Sequence, residues 1–365
     1  MTDLIGKFVS SNLQQATLIP KQQYCNYLNL GSNELLSNDL SYLFQQFLAS
    51  SRAQNINVNQ YPYYEDLRET IAQRYGISAH SVAFSAGSDA AIQYILNYLT
   101  TDHGNILLQT PNYSNYYRYA SINKLNIIRI TYGLKDEKAF IEQLIDRLHT
   151  DISICVLTTP EGMLGKTITV NQLKQVAKVA QNYQTLLLVD LAYSGFSVYE
   201  YHELLKWDNV ILLKSFSKHF GMAGLRFNVI LGNSDLLYHL RKTGLENCVS
   251  EFAKQYVYHL LDNEQTLNQT IKKVVDNRSK LVFWLENNLD NCNQYEAKQG
   301  NFFNIYLPGP HKAKQLVSFF KQHNVLIKQM SFFGSDYAHI VRITVPGDER
   351  YKHILQLLRD YEDNK

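Results

Sequence analysis

Short apolar runs alternate with amphipathic stretches of helical period from residue 81 to about residue 243. The runs that predict buried strands cover residues 81–84, 105–109, 126–132, 152–158, 186–190 and 209–213. The helices predicted between and after them cover residues 86–99, 137–148, 169–183 and 234–243. Short strands that alternate with helices are typical of a mainly parallel sheet covered by helices on both faces, so the pattern predicts a three-layer α/β fold.

The last third of the chain has a different pattern. Helices are predicted over 250–289, 313–323 and 351–361, and strands over 300–307, 325–328 and 340–345, the last as an edge-type strand. With 365 residues the chain can form two packed domains. We expect a large domain over residues 41–248 and a smaller α+β domain over residues 249–365, which includes an N-terminal arm over residues 1–40.

Composition and charge narrow the classes of protein. Hydrophobic residues make up 45% of the chain and charged residues 19%, which is ordinary for a globular protein and wrong for a disordered one. The net charge of +2 argues against nucleic acid or an anionic membrane as a partner. The chain opens without a basic region followed by an apolar core, and no apolar run approaches the length of a membrane span, so a cytoplasmic protein is expected.

The cysteines and histidines predict neither a metal site nor a disulfide framework. Cys25, Cys155, Cys248 and Cys292 are far apart and form no C-x-x-C pair, so we expect reduced, mostly buried thiols. The 11 histidines lack the spacing of metal ligands.

Lys218 lies in a glycine-containing loop between two apolar runs. Desolvation in such a place would lower the pKa of its ammonium and make the amine available as a nucleophile toward a carbonyl. The hydroxyls of Ser215 and Ser217 and the guanidinium of Arg226 are donors suited to a phosphate. The alternative is a basic surface loop in which Lys218 is a solvated charge.

The order Ser-x-Ser-Lys, followed by Gly-x-x-Gly-x-Arg, resembles the cofactor-lysine signature of the fold-type I, class I/II aminotransferases. These enzymes use pyridoxal 5′-phosphate (PLP), and the resemblance implies that Lys218 forms a Schiff base with it. The resemblance covers residues from about Leu30 to Gly347 and includes features of the histidinol-phosphate aminotransferase branch. It implies the PLP-transferase type I fold and a homodimer with shared active sites.

Further motifs match the family around the cofactor ring. Asp190 ends a run of four apolar residues, where a carboxylate is costly unless a cation or donor meets it. The resemblance assigns Asp190 to the ring nitrogen of PLP, Tyr193 to its phenolic oxygen, and Tyr113 of P-x-Y-x-x-Y to stacking on the ring. The alternatives are a cap or turn residue at Asp190 and a packing residue at Tyr113.

The helix start at residues 86–89 offers free amides and the positive end of a helix dipole to an anion. A simple helix cap at Ser88 is the alternative. The family lends the tyrosine of its N-x-Y-P turn to the neighbouring subunit. The residues implied to hold the phosphate of PLP are Gly87, Ser88, Asp89, Ser215, Ser217, Arg226 and, across the homodimer, Tyr61.

Three residues are implied to contact the substrate. Arg342 lies in V-R-I-T-V, which matches the family arginine that binds a carboxylate or phosphate; a solvent-facing strand arginine is the alternative. Asn33 lies in a segment similar to the S-S-N-E-N-P arm of the branch, with an ordinary entry loop as the alternative. Lys328 stands where that branch has a second phosphate-binding arginine.

The chain departs from the family in several places. The loop asparagine that donates to the phenolic oxygen of PLP falls at Gly162, and a carboxylate approaching from Glu161 would repel that oxygen. Losing the donor is expected to raise the pKa of the imine and to weaken ordinary transamination. Leu35 and Leu36 replace Asn-Pro in the arm, and Asn228 replaces a glycine.

The favoured function is transfer of an amino group between an amino acid or histidinol-phosphate-like amine and a 2-oxo acid. A PLP-dependent decarboxylase or an oxygen-dependent amino acid oxidase of the same fold is the alternative, motivated by Gly162. A third hypothesis is a non-catalytic binding or regulatory protein. The joint presence of Lys218, Asp190 and Arg226 argues against it.

Overall fold

A computed structural model describes residues 26–100, 104–132, 137–288 and 299–363, together with the isolated positions 9 and 13. Most of the predicted arm lies outside these residues, as do Cys25 and Cys292. No helix within the described ranges is both long and apolar enough to cross a membrane. The domain limits predicted at residues 40 and 248 stay predictions.

The strands and helices follow the predicted alternation. The strands are β1 (Leu28–Asn29), β2 (Val82–Ser85), β3 (Asn105–Thr110), β4 (Asn126–Thr131), β5 (Ile152–Thr158), β6 (Leu186–Asp190), β7 (Val210–Ser215), β8 (Asn228–Gly232), β9 (Phe302–Tyr306), β10 (Val325–Leu326), β11 (Lys328–Gln329) and β12 (Ile340–Thr344). The helices are α1 (Asn38–Ala49), α2 (Ser51–Gln54), α3 (Glu65–Tyr75), α4 (Gly87–Tyr98), α5 (Ser114–Ile122), α6 (Glu137–Arg147), α7 (Val170–Asn182), α8 (Ser234–Arg241), α9 (Glu251–Asp262), α10 (Glu264–Asn288), α11 (Pro310–Gln322) and α12 (Arg350–Asp363).

A seven-stranded sheet organises residues 82–232, in the order β2-β8-β7-β6-β5-β3-β4. Strand β8 is antiparallel to both of its neighbours, β2 and β7, and the other pairings are parallel. The predicted mainly parallel sheet is therefore confirmed. Because β2 and β7 each oppose β8, the carboxyl ends of all strands except β8 lie at one edge of the sheet.

The sheet is buried on both faces, which explains why its strands are apolar without interruption. Alternate residues of a strand point to opposite faces. In β6, Leu186 and Leu188 join the hydrophobic cluster that contains residues of α4, α5 and α8. Leu187 and Val189 join the other large cluster, which contains residues of α1, α3, α7 and α9. Helices on both faces of the sheet give the three predicted layers.

A three-stranded antiparallel sheet forms the core of the last third of the chain, in the order β11-β12-β9. The prediction of an edge-type strand at 340–345 is wrong, because β12 pairs on both sides and each of its five residues is buried. The long helical stretch predicted over 250–289 is two helices, α9 and α10, separated at Asn263. Hydrophobic period alone does not reveal which strands flank a given strand.

The chain just after residue 26 is joined to this C-terminal part. Strand β1 pairs in parallel with β10, and the Leu30 amide donates to the Leu326 carbonyl at 2.7 Å. The Leu30 carbonyl accepts from the Thr344 amide of β12 at 2.8 Å. These contacts place residues 28–33, and therefore Asn33, next to the three-stranded sheet.

Candidate active site

The predicted cofactor residues lie in loops at the carboxyl edge of the seven-stranded sheet. In open α/β sheets this edge is where ligands bind, because the loops after parallel strands converge there. Residues 87–89 follow β2, Tyr113 follows β3, Tyr193 follows β6, and residues 217 and 218 follow β7. One sheet edge thus collects side chains that are up to 130 residues apart in sequence.

Lys218 is half-buried, and its Nζ donates a hydrogen bond to the Ser32 carbonyl at 2.8 Å. Burial lowers the pKa of the Lys218 ammonium to about 8, and the positive charge of Arg342 lowers it further in the same direction. The alternative of a solvated surface lysine is therefore wrong. A larger fraction of this amine is neutral near pH 7 than for an ordinary lysine, as a nucleophilic amine requires.

Asp190 is buried at the end of β6, where both carboxylate oxygens accept hydrogen bonds. The Tyr116 hydroxyl donates to Oδ2 at 2.9 Å, and the Ala192 amide donates to Oδ1 at 3.0 Å. Burial raises the pKa of Asp190 to about 6, while these donors and the charge of Lys218 act in the opposite direction. A carboxylate in this position is stabilised by a cation placed against it.

The start of α4 lies against Arg226. No side chain caps the helix at Ala86, and Gly87 has a φ of 80°, which favours glycine. A Cβ at Gly87 would overlap the Arg226 guanidinium, so a side chain there would displace it. Arg226 Nη2 donates to Asp89 at 3.1 Å, and the buried Ser217 Oγ has no hydrogen-bond partner among the described residues.

Tyr113 and Tyr61 are the exposed aromatic residues of the predicted site. Tyr113 is 38% exposed, and its hydroxyl accepts from Asn115 Nδ2 at 3.2 Å. The same Asn115 amide donates to Asp89 at 2.7 Å, which connects Tyr113 to the start of α4. Tyr61 is 99% exposed in the single protomer, so none of the described residues covers it.

Arg342 is buried in the middle strand of the three-stranded sheet, so the alternative of a solvent-facing arginine is wrong. Its Nη1 donates to the Gly162 carbonyl and its Nη2 to the Gly31 carbonyl, the latter at 2.7 Å. Its Nε is buried without a partner among the described residues. Lys328 of β11 pairs directly with Arg342 of β12. Burial lowers the pKa of Lys328, and the positive charge of Arg342 lowers it further.

Asn33 is completely buried between the two sheets. Its Nδ2 donates to the Tyr193 hydroxyl at 3.0 Å and to the Gly162 carbonyl at 3.1 Å. Asn33 has a left-handed backbone with a φ of 54°, a region that asparagine tolerates better than most residues. The segment therefore places a polar side chain against the predicted cofactor residue Tyr193.

Residues 26–358 match the family model described as aminotransferase class I and II. The chain belongs to this family. It is 27% identical over 318 residues to histidinol-phosphate aminotransferase 1 of Bacillus thuringiensis subsp. konkukian, an alignment that covers 83% of this chain and 82% of the relative. The chain is thus a PLP-dependent aminotransferase that resembles the histidinol-phosphate branch.

Two solved structures show the fold shared by this aminotransferase. Histidinol-phosphate aminotransferase from Sinorhizobium meliloti in complex with pyridoxal-5′-phosphate superposes with a TM-score of 0.79 at 16% identity, covering 97% of this chain and 98% of the other. L-threonine-O-3-phosphate decarboxylase from Porphyromonas gingivalis superposes with a TM-score of 0.77 at 18% identity, covering 92% and 99%. The predicted PLP-transferase type I fold is confirmed.

The residues of the aminotransferase fit its cofactor, PLP. The uncapped start of α4, the unpartnered Ser217 hydroxyl and the Arg226 guanidinium are donors suited to a phosphate group. The buried carboxylate of Asp190 suits a protonated ring nitrogen. Lys218 supplies the amine of lowered pKa that an imine requires. These residues therefore suit the phosphate, the protonated ring nitrogen and the aldehyde of PLP.

Glu161 is buried in the loop that contains Gly162. Its carboxylate accepts from the amides of its own loop, including Met163 N at 2.8 Å and Lys166 N at 3.4 Å. Burial raises the pKa of Glu161 to about 7, against the effect of these amides. The carboxylate closes the loop around Gly162, and after burial and the charge of Asp190, the charge of Glu161 also raises the pKa of Tyr193.

Sequence reasoning missed several residues that contact the predicted set. Tyr116, which binds Asp190, is the second tyrosine of the same P-x-Y-x-x-Y motif, so the motif itself carried the signal. Asn304 of β9 pairs with Arg342 and donates to the Met163 carbonyl at 3.1 Å. Ser32 contacts Lys218, which is 186 positions away in sequence, and Thr344 contacts Asn33, which is 311 positions away. No local pattern identifies such contacts.

Proposed function

We propose that this enzyme moves an amino group between an amino acid or histidinol-phosphate-like amine and a 2-oxo acid, with PLP bound covalently to Lys218. The observation that carries the proposal is the placement of Lys218 and Asp190 at the same sheet edge. Asp190 ends β6, and Lys218 lies three residues beyond β7, which pairs in parallel with β6, so the two residues lie at the same edge of the sheet. One provides an amine of lowered pKa and the other a buried carboxylate.

We assign the remaining cofactor residues by their chemistry. Asp190 holds the ring nitrogen, Tyr193 donates to the phenolic oxygen, and Tyr113 lies against the ring. The residues that hold the phosphate are Gly87, Ser88, Asp89, Ser215, Ser217 and Arg226. The Ser217 amide donates to Ser215 Oγ at 3.3 Å, which orders this loop before the phosphate binds.

Bound PLP supplies an electron sink for the electron pair left at the substrate α-carbon. Lys218 Nζ would be the group that takes up the proton from that carbon and carries it to its next acceptor. A pKa of about 8 suits this work, because the amine exchanges a proton readily near neutral pH. Asp190 keeps the ring nitrogen protonated, since a buried carboxylate is most stable with a cation against it.

Arg342 orients the carboxylate of the substrate in this proposal. Its guanidinium is buried, lies 5.5 Å from the centre of the Phe302 ring, and keeps an unpartnered Nε. Lys328 lies beside it and adds a second cation for a substrate that carries a further anionic group. Asn33 completes the wall between Arg342 and Tyr193. Two adjacent cations are consistent with the histidinol-phosphate aminotransferases to which the chain is similar.

We propose a homodimer in which Tyr61 reaches the phosphate of the neighbouring subunit. The supporting observation is the exposure of the segment around it: Val58 is 86% exposed and Tyr63 is 66% exposed. Large apolar and aromatic side chains that are exposed close together are typical of an interaction surface. Tyr61→Phe is expected to lose PLP affinity. In mixed dimers with a Lys218→Ala subunit, the Tyr61→Phe subunit keeps Lys218 and receives the partner's Tyr61, so one site is expected to regain full PLP affinity.

Decarboxylation remains a second candidate, supported by two observations. Gly162 provides no side chain where the family has an asparagine, and the fold is shared with a threonine-phosphate decarboxylase. An amino donor that yields a 2-oxo acid supports transamination. Release of carbon dioxide with the corresponding amine supports decarboxylation, and consumption of oxygen supports oxidation.

The experiment that tests the proposal compares two lysines that are four residues apart. In Lys218→Ala, covalent attachment of PLP is lost, and activity falls by about 10³-fold or more because the nucleophile and the proton carrier are the same group. Lys214→Ala is the matched control, since Lys214 lies over the Tyr75 ring at 5.0 Å. Borohydride reduction and mass spectrometry locate the modified lysine. Covalent PLP in Lys218→Ala would contradict the assignment.

A further inference from the structure

Gly162 and Tyr193 exclude one another's side-chain space. A Cβ built at Gly162 would lie 2.5 Å from Tyr193 Cε2 and 2.8 Å from its hydroxyl oxygen. Contacts this short do not occur between real atoms, so the Tyr193 ring occupies the volume that a side chain at 162 would need. The absence of a side chain at Gly162 is therefore matched to the position of the tyrosine.

Asn33, in the segment after β1, contacts the same Tyr193 hydroxyl. Its Nδ2 donates to the Tyr193 hydroxyl at 3.0 Å and to the Gly162 carbonyl at 3.1 Å. An asparagine amide carries two donors, and both are used here. One amide thus contacts the residue that lacks a side chain and the tyrosine that fills the space.

Thr344 fixes which way the Asn33 amide points. The Thr344 hydroxyl accepts from the Asn33 backbone amide at 3.0 Å and donates to Asn33 Oδ1 at 3.2 Å. Because Oδ1 is held by a donor, Nδ2 must face Tyr193. The Asn33 carbonyl accepts from Asn301 Nδ2 at 3.1 Å, which anchors the backbone as well. This arrangement leaves one orientation of the amide.

The orientation decides what Tyr193 can do. A phenol has a single proton, and a hydroxyl oxygen that already accepts a hydrogen bond is a better donor for the next one. With Asn33 donating to it, the Tyr193 hydroxyl is set to give its own proton to an acceptor in the site. The Asn33 bond and the nearby charge of Arg342 also oppose the rise in the pKa of Tyr193 that burial causes.

We propose that Asn33 is a positioning residue that acts through Tyr193, and that it takes over the role left open by the missing side chain at Gly162. This inference rests on the proposed function of Tyr193 as the donor to the phenolic oxygen of PLP. It gives the segment that follows β1 a part in setting the protonation of the cofactor, in addition to any contact with substrate. Thr344 of β12 acts one step further out, by orienting Asn33.

The test is a pH titration of the absorbance of PLP bound to the full-length holoenzyme. Asn33→Gly removes the amide and tolerates the φ of 54°. We expect its absorbance midpoint to rise by about 0.3–1 pH unit, because the phenolic oxygen then has a weaker donor. Thr344→Val is expected to raise the midpoint by a smaller amount. Thr344→Ser, which keeps the hydroxyl, leaves it within error of wild type.

A double-mutant cycle with Tyr193→Phe separates this role from direct contact with substrate. If Asn33 acts through Tyr193, Asn33→Gly shifts the midpoint in the wild-type background and adds nothing in the Tyr193→Phe background. An equal shift in both backgrounds, or none in either, overturns the inference. The proposed function survives that result as long as Lys218 still binds PLP. A wild-type protein with no covalent PLP overturns the proposed function itself.

Discussion

The cofactor side and the substrate side of the site are built differently. On the cofactor side, every predicted residue except Tyr61 lies at or after the end of a strand of one continuous sheet, and local motifs place it. On the substrate side, Arg342 and Asn33 come from the three-stranded sheet and the segment after β1, and they bind backbone carbonyls of the loop around Gly162. One departure from the family, Gly162, lies where these two parts meet. A side chain that must fit two separate units is constrained by partners that no local motif contains.

Replacing Arg342 tests how far the two sides are independent. In Arg342→Lys, kcat/KM for the amino donor is expected to fall about 10- to 100-fold, because a lysine cannot make the paired contacts of a guanidinium. The affinity for PLP, measured by titration of the apoprotein, is expected to change less than about threefold. Equal losses in both quantities would show that the two sides act as one unit and would break the comparison.

Gly162→Asn probes the boundary between the sides. From sequence alone, this change restores the family donor and lowers the pKa of the imine. The structure predicts instead that the new Cβ displaces the Tyr193 ring and lowers the free energy of unfolding by about 1–3 kcal/mol. Urea unfolding of the apoprotein measures the effect.

Gly224→Asn is the matched control for Gly162→Asn. A Cβ at Gly224 meets no atom within 4 Å, and its φ is outside the left-handed region. Its free energy of unfolding is expected to change by less than about 0.5 kcal/mol. Equal stability of the two variants would show that the loop around Gly162 yields freely, and the tight fit between the sides would be disproved.

Lys218→Met gives the smallest expected effect. It tests the cofactor side of the site in the apoprotein, where PLP is absent. Burial lowers the pKa of Lys218 from 10.5 to about 8, so the folded apoprotein binds fewer protons than the unfolded chain between these values. Between about pH 8 and pH 10.5, the free energy of unfolding of the wild type therefore increases with pH relative to that of Lys218→Met. At pH 7 the variant is expected to be more stable by about 1–2 kcal/mol, after allowance for partial exposure.

Thermal or urea unfolding of both apoproteins at pH 7 and pH 10 measures this difference. The variant also loses the hydrogen bond to the Ser32 carbonyl, a cost that does not vary with pH. A difference between the two proteins that stays constant from pH 7 to pH 10 would mean that Lys218 is solvated and that the cofactor side is less preorganised than the geometry indicates.

The sequence predicted the large sheet well because the information is local. The apolar runs over 152–158 and 186–190 match β5 and β6 residue for residue, and the helix predicted from residue 169 begins there with a capping box of Thr169 and Gln172. The small sheet was predicted less well. Residues 325–328 were expected to form one strand, but β10 pairs with β1 and β11 pairs with β12. The hydrophobic pattern of a strand does not show which other strands it pairs with.

By itself the sequence determined the fold class, the family and the kind of cofactor, because these depend on short motifs after strands and on an uninterrupted apolar pattern. Only the tertiary structure decided the surroundings of Lys218, the partners of Arg342 and the meaning of Gly162. The hydrogen bonds from Asn33 to Gly162 and Tyr193 span 129 and 160 residues. Their existence depends on how the three-stranded sheet packs against the loops of the seven-stranded sheet, and that packing is a property of the whole folded chain.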